Sequence, residues 1–207
     1  MIKTDFVISG ALEVNCYLIY DSITRRAVVI DPGQDGEAVM NKINSLDIKP
    51  ELLINTHGHF DHIISDDIIR EKYRIPLAIH KIDSGMLGDP FENASTMIGL
   101  QTKIKPAEVL FDKEEEKQTS FCKYSILYTP GHTRGSICIL IDDFLFSGDT
   151  LFCGSIGRTD LTGGGNDIEM TESLKKLKNL DKKIAVYPGH GPASTIAREL
   201  SNNPFLR

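Results

Sequence analysis

The chain has 207 residues, 41% of them hydrophobic, and a formal net charge of −6. That apolar content is enough to bury a substantial core, and the absence of any low-complexity tract predicts one globular domain spanning residues 1–207. No basic run exceeds Lys182-Lys183 and the longest apolar runs, such as Ile137 to Ile141, are too short to span a bilayer, so neither a nucleic-acid-tracking surface nor a membrane partner is expected.

In chain order, Ile2 to Ser9 and Val14 to Tyr20 alternate as strands, separated by Gly10-Ala11-Leu12-Glu13. Met1 runs almost directly into Phe6-Val7-Ile8 with no basic leader or cleavage site, so no signal peptide is expected. Arg26 to Asp31 is a third strand, ended by Pro32-Gly33. Asp31 stands at its carboxyl end, where it either hydrogen-bonds a metal-bound histidine or caps a turn. Glu37 to Leu46 has Val39, Met40, Ile43 and Leu46 at helical spacing, which predicts a helix packed on the sheet.

The strand Glu51 to Asn55 then delivers Thr56-His57-Gly58-His59-Phe60-Asp61-His62. His57 and His59 are two apart and point the same way in an extended segment. Asp61 and His62 complete the turn into a helix expected over His62 to Tyr73, with Ile64, Ile68 and Ile69 inward. Histidines and a carboxylate at such short fixed spacing form a metal-ligand pattern, since one tight loop presents several donors together. Pro76 to Ile79 is a strand closed by His80, a histidine without a spaced partner that reads as structural. Residues 81–106 carry scattered apolar residues (Met86, Leu87, Phe91, Met97, Ile98, Leu100) that fit a pocket mouth or ordinary packing.

In the second half, strands are expected at Glu108 to Phe111, Ser120 to Tyr128, Ser136 to Ile141 and Phe144 to Ser147, with Asp142-Asp143 as a hairpin turn. Asn166 and Glu169 have capping-box spacing at the start of a helix whose apolar face is Met170, Leu174 and Leu177. Ile184 to Tyr187 is the last long strand, and Thr195 to Leu200 a short helix. Three further loops follow strands as the first cluster does: Thr129-Pro130-Gly131-His132-Thr133, Ser147-Gly148-Asp149-Thr150 and Tyr187-Pro188-Gly189-His190-Gly191. In each, glycine allows a sharp turn that projects one ligand from the strand end. The four cysteines (Cys16, Cys122, Cys138, Cys153) are scattered and form no Cys-x-x-Cys pair. A reduced, cytoplasmic setting is therefore expected, with Cys16 and Cys138 in core packing.

With THGHFDH at 56–62, TPGHT at 129–133, SGDTLFCGSIGRTDL at 147–161 and YPGHG at 187–191, the sequence resembles the metallo-β-lactamase superfamily, in its short glyoxalase II-like (hydroxyacylglutathione hydrolase-like) branch. The resemblance implies an α+β fold, a four-layer αββα sandwich with the site at one edge. It implies that His57, His59 and His132 hold one metal and that Asp61, His62 and His190 hold a second. Asp149 would bridge the two, and Asp61 and Asp149 are the candidate catalytic residues. Two divalent ions are expected, zinc first, with iron and manganese compatible. Five neutral imidazoles and two carboxylates sum to −2; two such ions and one bridging hydroxide bring the site to +1, which suits an anionic small-molecule thioester.

The expected reaction is hydrolysis of an acyl thioester of the S-lactoylglutathione type, with the bridging hydroxide as nucleophile. Alternatives within the resemblance are a mono-iron persulfide dioxygenase on His57, His132 and Asp149, or a lactonase or another hydrolase of the superfamily. A β-lactamase is disfavoured because His62 follows Asp61 and no cysteine ligand is evident. Arg158 stands where the family has a glutathione-contacting lysine, and reads either as a substrate-carboxylate contact or as an ion-pair partner of Asp160. The accompanying tyrosines are replaced by Asp160 and Pro192, and 17 residues follow His190, so weak recognition of glutathione is expected.

Overall fold

Short, largely apolar strand segments in both halves of the chain build two six-stranded sheets, laid face to face in the computed structural model, which describes residues 1–206. In the first sheet β1 (Ile2–Ser9), β2 (Val14–Asp21) and β3 (Arg26–Ile30) form an antiparallel meander. Helix α1 (Gly36–Ser45) then carries the chain to β4 (Lys49–Ile54), parallel to β3. Helices α2 (Phe60–Ile63) and α3 (Asp66–Tyr73) lead to β5 (Leu77–His80), and an irregular segment leads to β6 (Val109–Phe111); both strands add in parallel.

The second sheet begins with the antiparallel meander β7 (Glu115–Gln118), β8 (Lys123–Tyr128), β9 (Ile137–Ile141) and β10 (Phe144–Gly148). A small hairpin, β11 (Leu151–Phe152) with β12 (Ser155–Ile156), precedes helix α4 (Asp167–Lys178). Strand β13 (Ala185–Pro188) returns parallel to β10, and β14 (Ser194–Thr195) leads into α5 (Ile196–Asn202).

Three apolar cores separate four layers. Between the sheets, Tyr17, Ile19, Ile30 and Ile54 meet Ile126, Ile137, Ile139 and Phe146. On the outer face of the first sheet, Cys16, Leu18 and Val29 pack against Val39 and Ile43 of α1 and Ile69 of α3. On the outer face of the second, Cys138, Leu145 and Val186 pack against α4 through Met170, Leu174 and Leu177, and against α5 through Ile196. Successive residues of β2 enter different cores, so both of its faces are buried. Burial of one such Leu or Ile contributes about 1.5–3 kcal/mol. The expected αββα sandwich is the observed one. No helix of the described residues is long and apolar enough to cross a membrane.

Three sequence expectations are corrected. The helix expected over His62 to Tyr73 is broken, because Ser65 turns to donate its N–H to Gly33 O (2.9 Å) and Asp66 starts a new helix. The new helical phase buries Asp66, Ile69 and Arg70 and leaves Ile68 half exposed rather than inward. The strand expected from Ser120 starts only at Lys123, and its partner β7 was not expected. The sequence of β7, Glu115-Glu116-Lys117-Gln118, lacks apolar residues because it is a sheet edge, where charge blocks pairing with other chains.

Candidate metal centre

The strands β3, β4, β8, β10 and β13 all end at one rim of the sandwich, so their carboxyl-end loops converge there. Contacts between the two sheets hold the loops in place. Ile137 donates its N–H to Thr56 O (2.9 Å), Asn15 donates to Gly189 O (2.7 Å), and the Tyr17 hydroxyl donates to Pro188 O (2.7 Å). Two glycines are required by close approach. A Cβ at Gly189 would lie 2.2 Å from Asp149 Oδ1 and 2.9 Å from the His62 ring. At Gly148, φ is +48° and a Cβ would lie 2.4 Å from Thr56 Oγ1.

All seven residues singled out as ligands meet at this rim. Donor atoms of His57, His59 and His132 lie within 4.8 Å of one another, as do those of His57, His62 and Asp149 and those of Asp61, His62 and His190. Asp149 straddles the sets: its Oδ1 is 3.5 Å from His62 Nε2, and its Oδ2 is 3.6 Å from His132 Nε2 and 3.5 Å from His190 Nε2. Asp61 Oδ2 lies 3.4 Å from His190 Nε2 and 3.7 Å from His62 Nε2. These spacings exceed those of good hydrogen bonds. They match two donors on one tetrahedral ion, which at bond lengths of 2.0–2.1 Å stand about 3.4 Å apart.

Each imidazole has one nitrogen committed outward. His62 Nδ1 faces Asp31 Oδ2 (3.0 Å), His59 Nε2 faces Thr162 O (2.9 Å), His132 Nδ1 faces Arg158 O (2.7 Å) and His190 Nδ1 faces Leu12 O (2.9 Å). Carboxylate and carbonyl oxygens only accept, so each of these nitrogens carries the proton. The Thr56 hydroxyl donates to Asp31 Oδ2 (2.7 Å) and so accepts from His57 Nδ1 (3.1 Å). Each ring, when neutral, therefore turns its lone pair inward, four through Nε2 and His59 through Nδ1.

The inward atoms lack protein partners: His57 Nε2, His62 Nε2 and Asp149 Oδ1 are buried without a hydrogen bond. His59 Nδ1 and His132 Nε2 approach to 2.8 Å, where two lone pairs repel unless a cation or proton lies between them. The donor set thus fits divalent metal.

Burial holds the pKa of His57 well below the usual imidazole range and that of His132 down to about 3, with neighbouring histidines adding to the effect. Burial opposes charge on His62 as well, but Asp61, Asp149 and Asp31 outweigh it and raise its pKa. The carboxylate pair thus makes this end of the cluster cation-seeking. Burial likewise raises the pKa of Asp149, against the pull of His62 and His190.

The other sequence candidates are also placed. Asp31, at φ +48°, accepts from Thr56 N (2.8 Å) in addition to His62, so it is the histidine's hydrogen-bond partner. His80 is outside the cluster, stacked on Tyr128 with ring centroids 4.7 Å apart. Arg158 lines the cavity, yet its guanidinium is paired with Asp160 through Nε (2.9 Å) and a terminal nitrogen (3.0 Å). Its backbone carbonyl is the part that reaches a histidine. Asp83 was missed, because it lies in 81–106 with no spaced partner. Its Oδ2 accepts from Gly58 N (3.1 Å) and Thr133 Oγ1 (2.6 Å), and its Oδ1 from Gly135 N (2.7 Å), tying two ligand loops together. A cavity of about 490 Å³ opens above the cluster, with His59, Asp61, His132, Asp149 and His190 in its lining.

Five histidines and two carboxylates at the rim of an αββα sandwich define a metal-dependent hydrolase architecture. The family profile of the metallo-beta-lactamase superfamily matches residues 9–190, and the chain belongs to that superfamily. The probable metallo-hydrolase YqgX of Bacillus subtilis (strain 168) is 36% identical over 201 residues, 95% of this chain and 94% of the relative. The hydroxyacylglutathione hydrolase GloC of Haemophilus influenzae is 30% identical over 200 residues, 95% of this chain and 94% of the relative. Among solved structures, the B3 metallo-beta-lactamase BLEG-1 superposes with a TM-score of 0.95 at 36% identity, covering 99% of both chains. TTHA1623 in a di-iron-bound form superposes with a TM-score of 0.84 at 32% identity, covering 98% of this chain and 100% of its own.

Proposed function

We propose that this protein hydrolyses acyl thioesters of the S-lactoylglutathione type at a site holding two divalent metal ions, zinc by the character of its donors. His57, His59 and His132 would hold one ion and Asp61, His62 and His190 the other, with Asp149 shared. The observation that carries this reading is the set of five inward lone pairs, each fixed by an outward hydrogen bond, around two carboxylates. The likeness to a hydroxyacylglutathione hydrolase supports the substrate class, and the likeness to a di-iron structure supports two ions.

When bound, such ions supply an ionised water near neutral pH and an electrophile for a carbonyl oxygen. The protein's part is orientation. Asp31 and Thr56 hold the lone pairs of His57 and His62 inward. Asp61 and Asp149 present carboxylate oxygens to the cavity, where they act as the catalytic acceptors that aim the attacking water at the thioester carbonyl. The departing thiolate needs little general-acid help, because its conjugate thiol has a pKa of about 8.5. Arg158 is the cavity's cation and grips a substrate carboxylate to the extent that Asp160 releases it.

Metal analysis after loading with zinc, iron or manganese, combined with assays on S-lactoylglutathione, a β-lactam and glutathione persulfide, tests the proposal. Close to two ions per chain and thioester hydrolysis are expected. Saturation at one ion with oxygen uptake on the persulfide would replace this reading with the mono-iron dioxygenase. The 36% identity to BLEG-1 gives β-lactam opening the standing of a second reading, which a lactam rate above every thioester rate would install.

A further inference from the structure

The cavity above the cluster is polar at its His/Asp floor and at Arg158, and apolar elsewhere. Its walls are Leu12, Met97, Ile98, Phe152, Ile156 and Leu161, contributed by the β1–β2 turn, the 3-10 turn Ser95–Ile98, and the β11–β12 hairpin with the loop after it. Three of these are large apolar side chains left in water: Met97 is 62% exposed, Ile98 54% and Leu12 47%. Exposed apolar side chains gathered at the mouth of one cavity mark a binding surface rather than packing. They are also held in place. Asn93, fully buried, donates to Met86 O and Thr102 O and accepts from Ser95 N, which fixes the turn that displays Met97 and Ile98.

The lining offers little to a charged peptide. Arg158 is its one arginine or lysine, and its guanidinium is already engaged, donating two hydrogen bonds to Asp160. The flexible thioether of Met97 suits chains of varied shape.

Accepting the thioesterase reading, we infer that this cavity takes an apolar arm of the substrate: a hydrocarbon acyl or alkyl chain lying against these walls, with the thioester carbonyl at the His/Asp floor. A cavity of about 490 Å³ falls within the range that encloses a small ligand. Specificity then resides in the hydrocarbon arm, and the thiol carrier is secondary.

The test is direct binding to the zinc-loaded protein by calorimetry, using non-hydrolysable thioethers. S-methyl, S-butyl and S-hexyl derivatives of N-acetylcysteamine are compared with the same three derivatives of glutathione. Affinity is expected to rise about fourfold per methylene in both series until the cavity is filled, with the glutathione series no more than threefold tighter. Ile98→Asp and Met97→Glu replace exposed side chains, so the fold tolerates them; they are expected to flatten the chain-length dependence while zinc content stays unchanged. Chain-length-independent binding, or a glutathione advantage above tenfold, would overturn the inference. Hydrolysis assays on the matching acyl thioesters keep the two claims apart. Length-dependent binding without thioester turnover upholds the apolar cavity and removes the thioesterase reading. Turnover with length-independent binding does the reverse.

Discussion

Asp31→Asn isolates the orientation of two metal-facing histidines. Asparagine has the same shape and tolerates the left-handed backbone at φ +48°, so the change leaves the turn intact. The amide oxygen must keep the place of Oδ1, because the Thr56 N–H it accepts (2.8 Å) cannot rotate away. The amide nitrogen then faces His62 Nδ1 and Thr56 Oγ1, where Oδ2 stood 3.0 Å and 2.7 Å away. A donor now meets the Nδ1–H of His62, and the ring relieves the conflict by moving its proton to Nε2, the atom that faces the cluster. The Thr56 hydroxyl, which accepts from the new amide, turns its own proton toward His57 Nδ1 and biases that ring the same way.

Loss of such a hydrogen-bond partner lowers metal affinity by about 10–100-fold, equivalent to roughly 1.4–2.8 kcal/mol. Competition with a chromophoric zinc chelator measures it, alongside circular dichroism to verify the fold. Thr56→Val, which removes the hydroxyl between Asp31 and His57 but leaves the Asp31–His62 contact, is expected to lose less. Wild-type affinity for both zinc equivalents in Asp31→Asn would refute the reasoning, since the inward lone pairs would then not depend on this carboxylate.

Asp149→Ala should abolish turnover and reduce zinc content at both positions, whereas His80→Ala should leave zinc content unchanged; elemental analysis of the two variants decides. Burial lifts the Asp83 pKa to about 6 from 3.8, despite the hydrogen bonds from Thr133, Gly135 and Gly58. The folded state then holds more protons than the unfolded chain between those values, so stability falls as pH rises through about 6, by about 3 kcal/mol from this group. Urea titrations at pH 4 and pH 7 should show that fall in the wild type and a fall smaller by that amount in Asp83→Asn. Arg158→Ala should raise KM for anionic thioesters with kcat little changed, and Asp160→Asn, which frees the guanidinium, should lower it. Gly189→Ala forces a methyl group into the Asp149 carboxylate and should cost at least tenfold in kcat/KM in steady-state assays.

Chain order and residue type alone carried the outline of this protein. The apolar runs within Val14 to Tyr20 and over Ile137 to Ile141 mark strands buried on both faces, and the helical spacing of Val39 with Ile43 and of Met170 with Leu174 and Leu177 states locally which helix faces are buried. Each predicted ligand follows a strand within a few residues, so the geometry of a tight loop is enough to mark it. Local spacing did not pair those ligands; only the family resemblance suggested which belong together. That Asp149 stands between His62, His132 and His190 depends on β10 and β13 being neighbours and on the two sheets closing face to face.

The outward partners of the rings were further out of reach. Leu12, Arg158 and Thr162 serve through backbone carbonyls, and every residue has one, so no side-chain pattern announces the choice. Asp83 and the Met97–Ile98 wall lie in a segment without helical or strand period, where apolar and acidic residues look like ordinary loop composition. Edge strand β7 hid for the opposite reason: its position at the margin of the sheet demands charge where pattern reading looks for apolar residues. Local periodicity and spacing specify which groups are offered; only the closure of two sheets, which brings atoms over a hundred residues apart to within 3 Å, as between His59 and Thr162 (2.9 Å), decides what each group faces.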